Sequence, residues 1–260
     1  MVRSYDLSHS SVIKSLISGT GYQEGIGAEA QFNVITGLAQ LTDKYIVADY
    51  NNFCMREIEP LAGNPEYSEQ EWKTSAFAGQ CGKSGDIDGR RQIARLNRPR
   101  DLVLRNNILF FTDTYNNKIK QIDLDKDLIT TAHQSHSFSL YGFVLGTEKD
   151  EFYVTAPHGV LHINNQKETW LVGSATHTST PSHGRFSGVG FYNPFSIQWL
   201  NKKVLIVTDN SGNTLKSIDL DLQQVQSLCT GGKSTIFRSS LKISQLAGKS
   251  GMHFEDLYLQ

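Results

Sequence analysis

The chain has 260 residues, a hydrophobic fraction of 38%, an aromatic fraction of 10% and a formal net charge of −1. This balance argues against a non-specific nucleic-acid or membrane-surface binder, because such binding normally rests on a large basic excess. No apolar run approaches the roughly 18 residues of a membrane-spanning helix, so no membrane span is expected. The composition suits one domain over residues 1–260 with enough apolar side chains to build a core.

In chain order, the first predicted elements are two short strands. Residues 2–8 have the pattern of the third strand of a unit that recurs later, and residues 12–19 have the pattern of its fourth strand. The chain thus opens in the middle of a unit, which is consistent with a segment excised from a longer polypeptide.

The next feature is that unit itself, which occurs three times with the same order of elements. Each copy has a glycine-rich lead-in, a first strand, a second strand ending in Asp, and a third strand closing on Ile-Asp or Ile-Glu. The copies begin at Gly21, Gly85 and Gly184, and a fourth strand that stops at glycine completes each one. Four short strands per unit predict a β-propeller blade, and blades must stack because one unit cannot bury its own faces.

A degenerate unit is predicted between the second and third copies. The interval from Asp113 to Asp209 is about two blades of ~40–50 residues, and residues 138–173 fit the unit with Ala156 in place of the Asp. Residues 138–145 are its expected first strand. In the first copy, residues 60–72 contain the Gly, Pro and charged residues typical of a loop insertion.

The C-terminus indicates how the ring closes. Residues 254–260 repeat the pattern of the first strand of the second copy, so a closing blade built from both termini is expected. The predicted fold class is therefore an all-β propeller of four-stranded blades with five blades, or six if residues 233–248 form a further partial blade.

The repeated lead-in and strands resemble the NHL repeat. The resemblance is close over residues 21–59 and 85–123, looser over 184–219 and marginal over 138–173. It implies a propeller, but the family includes interaction domains, RNA-reading domains and a few lyases, so it implies no single activity.

The recurring Asp49, Asp113 and Asp209, each followed by asparagines, could be read as calcium ligands. Because they recur in every clear copy, we expect a structural role instead, in which they cap the turn between the second and third strands. A single functional site would need such residues in one blade only.

The three cysteines, Cys54, Cys81 and Cys229, cannot all pair within one chain and show no Cys-x-x-Cys spacing. This pattern argues against a structural zinc site and a disulfide scaffold. A reducing compartment is the simpler interpretation, and one disulfide plus a free thiol outside the cell is the alternative. Localisation stays open: cytoplasmic if the chain is complete, extracellular if it is an excised ectodomain.

No cofactor is expected, with zinc or calcium as the alternative. Three histidines from different blades can meet at a propeller's centre, as in the metal-dependent lyases among NHL-like propellers, and the candidates are His133, His158 and His183. The chain has no nucleophile elbow and no His-Glu-x-x-His run, so enzyme activity is not favoured. A metal-dependent hydrolase or lyase is the alternative function.

The favoured function is a non-enzymatic module that binds another protein, a peptide or a carbohydrate through its inter-blade loops. RNA binding is a further alternative, kept open by an arginine-rich lead-in, although nucleic acid is not the expected partner. The candidate binding residues are Trp72, Arg90, Arg91, Arg95, Arg98, Arg100, His183, Arg185 and Tyr192.

Overall fold

The computed structural model describes residues 2–5, 13–17, 20–61, 72–136, 138–176 and 183–230, with the backbone alone for the first two stretches and for residues 229 and 230. In these residues the protein is an all-β propeller with four blades, each one an antiparallel sheet. Two N-terminal strands pair antiparallel with each other, as the sequence predicts for a third and a fourth strand. The predicted closing strand at 254–260 and the optional blade at 233–248 lie outside the described residues.

The strands follow the repeat. The N-terminal pair is β1 (Val2–Tyr5) and β2 (Ile13–Ile17). Blade 1 contains β3 (Gly25–Ile26), β4 (Ile35–Leu41), β5 (Lys44–Asp49), β6 (Cys54–Pro60) and β7 (Trp72–Ala78). Blade 2 contains β8 (Gly89–Arg90), β9 (Pro99–Arg105), β10 (Ile108–Asp113), β11 (Lys118–Asp123) and β12 (Leu128–Gln134). Blade 3 contains β13 (Phe143–Leu145), β14 (Glu151–Ala156), β15 (Gly159–Asn164) and β16 (Lys167–Gly173). Blade 4 contains β17 (Gly184–Arg185), β18 (Pro194–Asn201), β19 (Val204–Asp209), β20 (Thr214–Asp219) and β21 (Gln224–Thr230).

Strand order within the blades places their first strands together. In blades 1, 2 and 4 the order runs from the long first strand at one edge to the two-residue lead-in strand at the other. The first strands β4, β9, β13 and β18 contact one another from blade to blade. They therefore form the inner wall of the propeller, and the lead-in strands β3, β8 and β17 form its outer edge.

The cores lie between blades, as a stack of amphipathic sheets requires. Leu109 and Phe111 of β10 pack in a buried cluster with residues of blade 1, whereas Phe110, between them, packs in a cluster with residues of blade 3. This alternation follows from the two-residue period of a strand, which sends successive side chains to opposite faces of the sheet. A third cluster joins blades 3 and 4 through residues such as Val160 and Val207. Fully burying one such side chain, relative to leaving it exposed to water, stabilises the fold by roughly 1.5–3 kcal/mol.

Blade 3 confirms the degenerate unit but has a shorter first strand than expected. The prediction begins this strand at residue 138, and the structure begins it at Phe143. Phe138 instead packs edge-on against Trp170 of β16, with ring centroids 5.0 Å apart. The Phe138 N–H donates to Ser135 Oγ at 3.3 Å, so the predicted start of the strand folds back on the preceding loop. Tyr141 and Gly142 still bond to Thr155 of β14, and the Gly142 N–H also donates to the Phe195 carbonyl of blade 4 at 3.0 Å.

No helix in the described ranges is both long and apolar enough to cross a membrane.

Candidate functional site

The repeated aspartates are buried structural residues rather than turn caps. Their carboxylates make no capping bond to the following 3-10 turn in blades 1 and 2. One carboxylate oxygen instead accepts a backbone N–H at the start of the first strand, and the other lies near a basic side chain on the third strand. The N–H contacts are Asn33–Asp49 at 2.7 Å, Asn97–Asp113 at 2.6 Å and Asn193–Asp209 at 2.8 Å. The ion pairs are Arg56–Asp49 at 3.3 Å, Lys120–Asp113 at 3.3 Å and Lys216–Asp209 at 2.9 Å.

Burial has the largest effect on the pKa of two of these carboxylates, Asp113 and Asp49. It raises the pKa of Asp113 to about 6, although Lys120 and hydrogen bonds from Asn97 and Asn116 oppose the rise. Burial also raises the pKa of Asp49, against opposing hydrogen bonds and the charge of Arg56. Desolvation has this effect because it disfavours the charged form of a carboxyl group.

The inner wall brings together a different set of residues, at one repeated position of the first strands. The strand registers align Arg100 of blade 2 with Tyr141 of blade 3 and Phe195 of blade 4. The backbone carbonyls of all three accept bonds from the preceding blade: Thr36 donates to Arg100 at 3.0 Å, Thr112 donates to Tyr141 at 2.7 Å, and Gly142 donates to Phe195 at 3.0 Å. Equivalent residues of successive blades thus lie side by side around the axis.

Two glycines allow this close approach of the inner strands. A Cβ atom on Gly37 would lie 2.2 Å from the carbonyl oxygen of Arg100, and one on Gly142 would lie 2.7 Å from that of Phe195. No side chain fits at such distances from a backbone oxygen, so glycine is needed where one blade meets the next.

The side chains at this position converge on the Arg100 guanidinium. Its Cζ lies 3.3 Å from the ring centroid of Phe195, two blades away, and 4.8 Å from that of Tyr141. The rings of Tyr141 and Phe195 stack with centroids 6.4 Å apart. Cations near aromatic faces are attracted by the ring quadrupole, and the attraction is larger when both groups are desolvated.

A second arginine, Arg98, extends this group of side chains toward blade 1. The Cζ of Arg98 lies 4.2 Å from the ring centroid of Tyr115 and 5.3 Å from that of Tyr50. Tyr50 and Tyr115 follow the Asp of blades 1 and 2, and their rings meet edge to face at 6.4 Å. We call the whole set the Arg/aromatic cluster, and all four blades border or contribute to it. Its members are Tyr50, Arg98, Arg100, Tyr115, Tyr141 and Phe195.

The cluster combines a buried cation with exposed rings. Arg100 is only 7% exposed, whereas Tyr115 is 56% and Phe195 is 39% exposed. Burial lowers the pKa of Arg100, but an arginine stays protonated under such a shift. In the described part of the chain its Nη2 atom is buried without a hydrogen-bond partner, and no ion pair involves Arg98 or Arg100 there.

Burial raises the pKa of two tyrosines of the cluster, Tyr50 and Tyr141. Burial raises the pKa of Tyr50, as does Tyr115, while Arg98 and Arg100 oppose the rise. Burial likewise raises the pKa of Tyr141, with Arg100 opposing. A phenol with a raised pKa keeps its proton at neutral pH and can donate a hydrogen bond to a ligand.

The structure distributes the predicted arginines over two regions. Arg98 and Arg100 join the cluster, whereas Arg90 and Arg185 lie in the lead-in strands β8 and β17 at the outer edge. Arg91 forms an ion pair with Asp127 and its Cζ lies 4.4 Å from the Phe77 ring centroid. The aliphatic part of Arg95 covers Gly85.

The other predicted binding residues lie outside the cluster. Trp72 is 4% exposed and packs in the core of blade 1, with its ring 5.9 Å from that of Tyr45. Tyr192 is 48% exposed at the start of the blade 4 inner strand, and its backbone N–H donates to Asp209. His183 is exposed in the blade 4 lead-in.

The predicted metal-binding histidines occupy different environments. His133 is buried, with Nδ1 3.0 Å from Gln166 Oε1 and Nε2 2.7 Å from Glu168 Oε1. His158 lies in the turn between β14 and β15, and His183 lies in the blade 4 lead-in. Over the described ranges, no three His, Cys, Asp or Glu side chains are grouped so as to hold a metal ion.

Two of the cysteines form a disulfide. Cys54 at the start of β6 bonds to Cys81 beyond the end of β7, with Cα atoms 5.0 Å apart and a sequence separation of 27. This pairing corresponds to the sequence alternative of one disulfide. The side chain of Cys229 lies outside the described residues.

No protein-family model matches the chain. Over 48 residues, 18% of its length, the chain is 40% identical to NHL repeat-containing protein 2 of Gallus gallus, and the match spans 7% of that protein. Among solved structures it is similar to a streptogramin B lyase, at 13% identity and a TM-score of 0.47, covering 74% of this chain and 53% of that one. It is also similar to virginiamycin B lyase from Staphylococcus aureus, at 15% identity and a TM-score of 0.48, covering 79% and 58%. The chain thus spans little more than half the length of these lyases.

Proposed function

We propose that the protein is a non-enzymatic binding module and that the Arg/aromatic cluster is its recognition site. The observation that carries the proposal is Arg100, a buried cation without an ion-pair partner in the described part of the chain. An unpaired buried charge costs free energy unless something else compensates it. A bound ligand that supplies the missing negative charge would compensate this cost.

The chemistry of the cluster favours recognition over catalysis. A guanidinium and phenols with raised pKa values keep their protons near neutral pH, so they do not exchange protons readily with a substrate. Arginine and tyrosine are also the residues most enriched at the energetic centres of binding interfaces. The exposed rings of Tyr115 and Phe195 add apolar surface beside the charge.

The finer architecture is part of the same proposal. We propose NHL-type repeats in a ring of five blades, with six as the alternative, closed by a blade that includes β1 and β2. The antiparallel pairing of β1 with β2 supports such a blade. The partner is proposed to be a protein, or a peptide or carbohydrate ligand, and RNA binding and metal-dependent hydrolysis or elimination remain the alternative functions.

A peptide array tests the binding function. Immobilised peptides of varied sequence are probed with the wild-type protein, with the Arg98→Gln/Arg100→Met double variant, and with the Arg90→Gln/Arg185→Gln double variant as the matched control. The control removes the same charge from the outer edge of the ring. We expect the wild type and the control to bind the same peptides and the cluster variant to lose them. If the wild type binds no peptide, or if the cluster variant binds like the wild type, the proposed site is wrong.

A further inference from the structure

We infer that the group recognised by the Arg/aromatic cluster is a carboxylate, presented by an acidic peptide segment of a partner protein. This inference rests on the proposed function and specifies its ligand. It follows from the charge balance of the buried bases, from the shape of the space beside Arg100 and from the composition of the rim.

The charge balance sets Arg100 apart from the other buried bases. Four lysine and arginine side chains are buried in the described residues, and three of them, Arg56, Lys120 and Lys216, have an aspartate oxygen within 3.3 Å. Arg100 is the fourth and has none there. The charge of its sequence neighbour Asp101 acts on Arg100, but the two form no ion pair among the described contacts, and the Asp101 carboxylate accepts the backbone N–H groups of Phe143 and Leu102 at 2.9 and 3.0 Å. Among the described residues, the fold therefore supplies a carboxylate to each of the other buried bases and none to Arg100, and we assign that missing partner to a ligand.

The rings around Arg100 favour an anion that presents two oxygens in one plane. With its Cζ 3.3 Å from the Phe195 centroid, the guanidinium must lie flat on the ring, so its N–H groups point sideways within one plane. A carboxylate matches that arrangement by accepting two parallel bonds in the same plane. A phosphate can accept the same two bonds, and the aspartate partners of the other buried bases are what favour a carboxylate here.

The rim supplies the remaining contacts that a peptide needs. The phenols of Tyr50 and Tyr141, neutral because burial raises the pKa of each, can donate to a second oxygen of the ligand. Tyr115 and Phe195 expose ring surface to neighbouring residues of the peptide. Arg98, near Tyr115, adds a second positive charge that favours an acidic segment over a single acid.

Fluorescence anisotropy with four labelled probe peptides tests the inference. The first alternates phenylalanine with aspartate and has an amidated C-terminus, and the second replaces each aspartate with asparagine. The third is the asparagine peptide with a free C-terminal carboxylate, and the fourth replaces each aspartate with phosphoserine. We expect the aspartate peptide to bind at least about tenfold more tightly than the amidated asparagine peptide, a difference typical of charge-assisted hydrogen bonds. The third probe shows whether a terminal carboxylate suffices.

Variants connect the binding to the cluster. Arg100→Met should abolish the preference for aspartate, and Arg90→Gln, at the outer edge, should leave it unchanged. Equal binding of the aspartate and asparagine probes overturns the carboxylate inference while leaving a binding module intact. Tighter binding of the phosphoserine probe overturns it in favour of phosphate. Failure of all four probes to bind also overturns it, and the peptide array then decides separately whether the proposed function stands.

Discussion

Ala156 and Leu161 pack in one hydrophobic cluster of blade 3, at the two positions where blades 1, 2 and 4 hold a buried aspartate and a buried base. The strand registers fix the equivalence, since Ala156 ends the second strand of its blade and Leu161 is the third residue of the next. Blade 3 therefore lacks both members of the ion pair together. Removing both members replaces a buried charge pair with apolar packing, whereas removing one would leave a charge unpaired.

This relationship predicts a strongly non-additive double-mutant cycle in blade 4. Asp209→Ala and Lys216→Leu are each expected to lower the free energy of unfolding by about 3–5 kcal/mol, because each leaves the other charge buried. The double variant has the apolar residues found at these positions in blade 3. Its free energy of unfolding should fall by much less than the sum of the two single losses. Denaturant unfolding of the four proteins measures the coupling. Additive losses would show that the two side chains do not act as a pair.

Substitution of Arg100 should affect the melting temperature differently from substitution of a base that has an ion-pair partner. Because Arg100 is a buried guanidinium without an ion-pair partner among the described residues, Arg100→Met is expected to leave the melting temperature unchanged or to raise it. Arg56→Met is the matched control and should lower the melting temperature, since it leaves Asp49 unpaired. A decrease for Arg100→Met as large as that for Arg56→Met would assign Arg100 a structural role and weaken the proposed site.

Much of the fold could be predicted from the sequence, because blade geometry repeats and so does its sequence pattern. The strands of blades 1, 2 and 4 follow from the recurring lead-in and Asp, and blade 3 follows from spacing even though Ala156 replaces the Asp. The sequence predicts the start of β13 too early because an apolar run alone does not show that Phe138 bonds to Ser135, whereas regular pairing with β14 begins at Phe143.

The candidate site could be predicted only in part. Arg98 and Arg100 were selected from a run of arginines, but the sequence placed them with Arg90, which lies at the other edge of the blade. Tyr141 and Phe195 were missed because neither belongs to a motif. Alignment of the repeats could have identified them, because it puts Arg100, Tyr141 and Phe195 at the same position of the inner strand. Residues that differ at a position where blades converge are candidates for function, whereas recurring residues are candidates for structure.

The raised pKa of Asp113 predicts an unusual pH dependence of stability. With a folded-state pKa of about 6 against an ordinary value of 3.8, the folded protein binds more protons than the unfolded chain between these values. Stability from this group is therefore greatest at low pH and is lost as pH rises through about 6, by at most about 3 kcal/mol. Thermal melts from pH 3.5 to 7 measure the slope. Asp113→Asn, which does not titrate, should lack this component, and identical slopes in both proteins would contradict the assignment.

Elemental analysis is expected to find no stoichiometric zinc or calcium. The physical reason is that both ring nitrogens of His133 are engaged, by Gln166 and Glu168, and the repeated aspartates are engaged by basic side chains and backbone N–H groups. Dialysis against a chelator should then leave the melting temperature unchanged. Stoichiometric metal whose removal lowers the melt would instead favour the metal-dependent hydrolase or lyase, and alanine variants of His133, His158 and His183 would identify its ligands.

The Cys54–Cys81 disulfide should contribute measurably to the stability of blade 1. Closing a loop over a sequence separation of 27 residues reduces the entropy of the unfolded chain, which corresponds to about 3–4 kcal/mol in the chain-entropy model. A reductant, or the Cys54→Ala/Cys81→Ala double variant, is therefore expected to lower the melting temperature. Cys229→Ser is the matched control, and its melting temperature should equal that of the wild type both with and without the reductant. Thiol titration of the unfolded, unreduced protein should find one free cysteine, and three would show that the bond does not form.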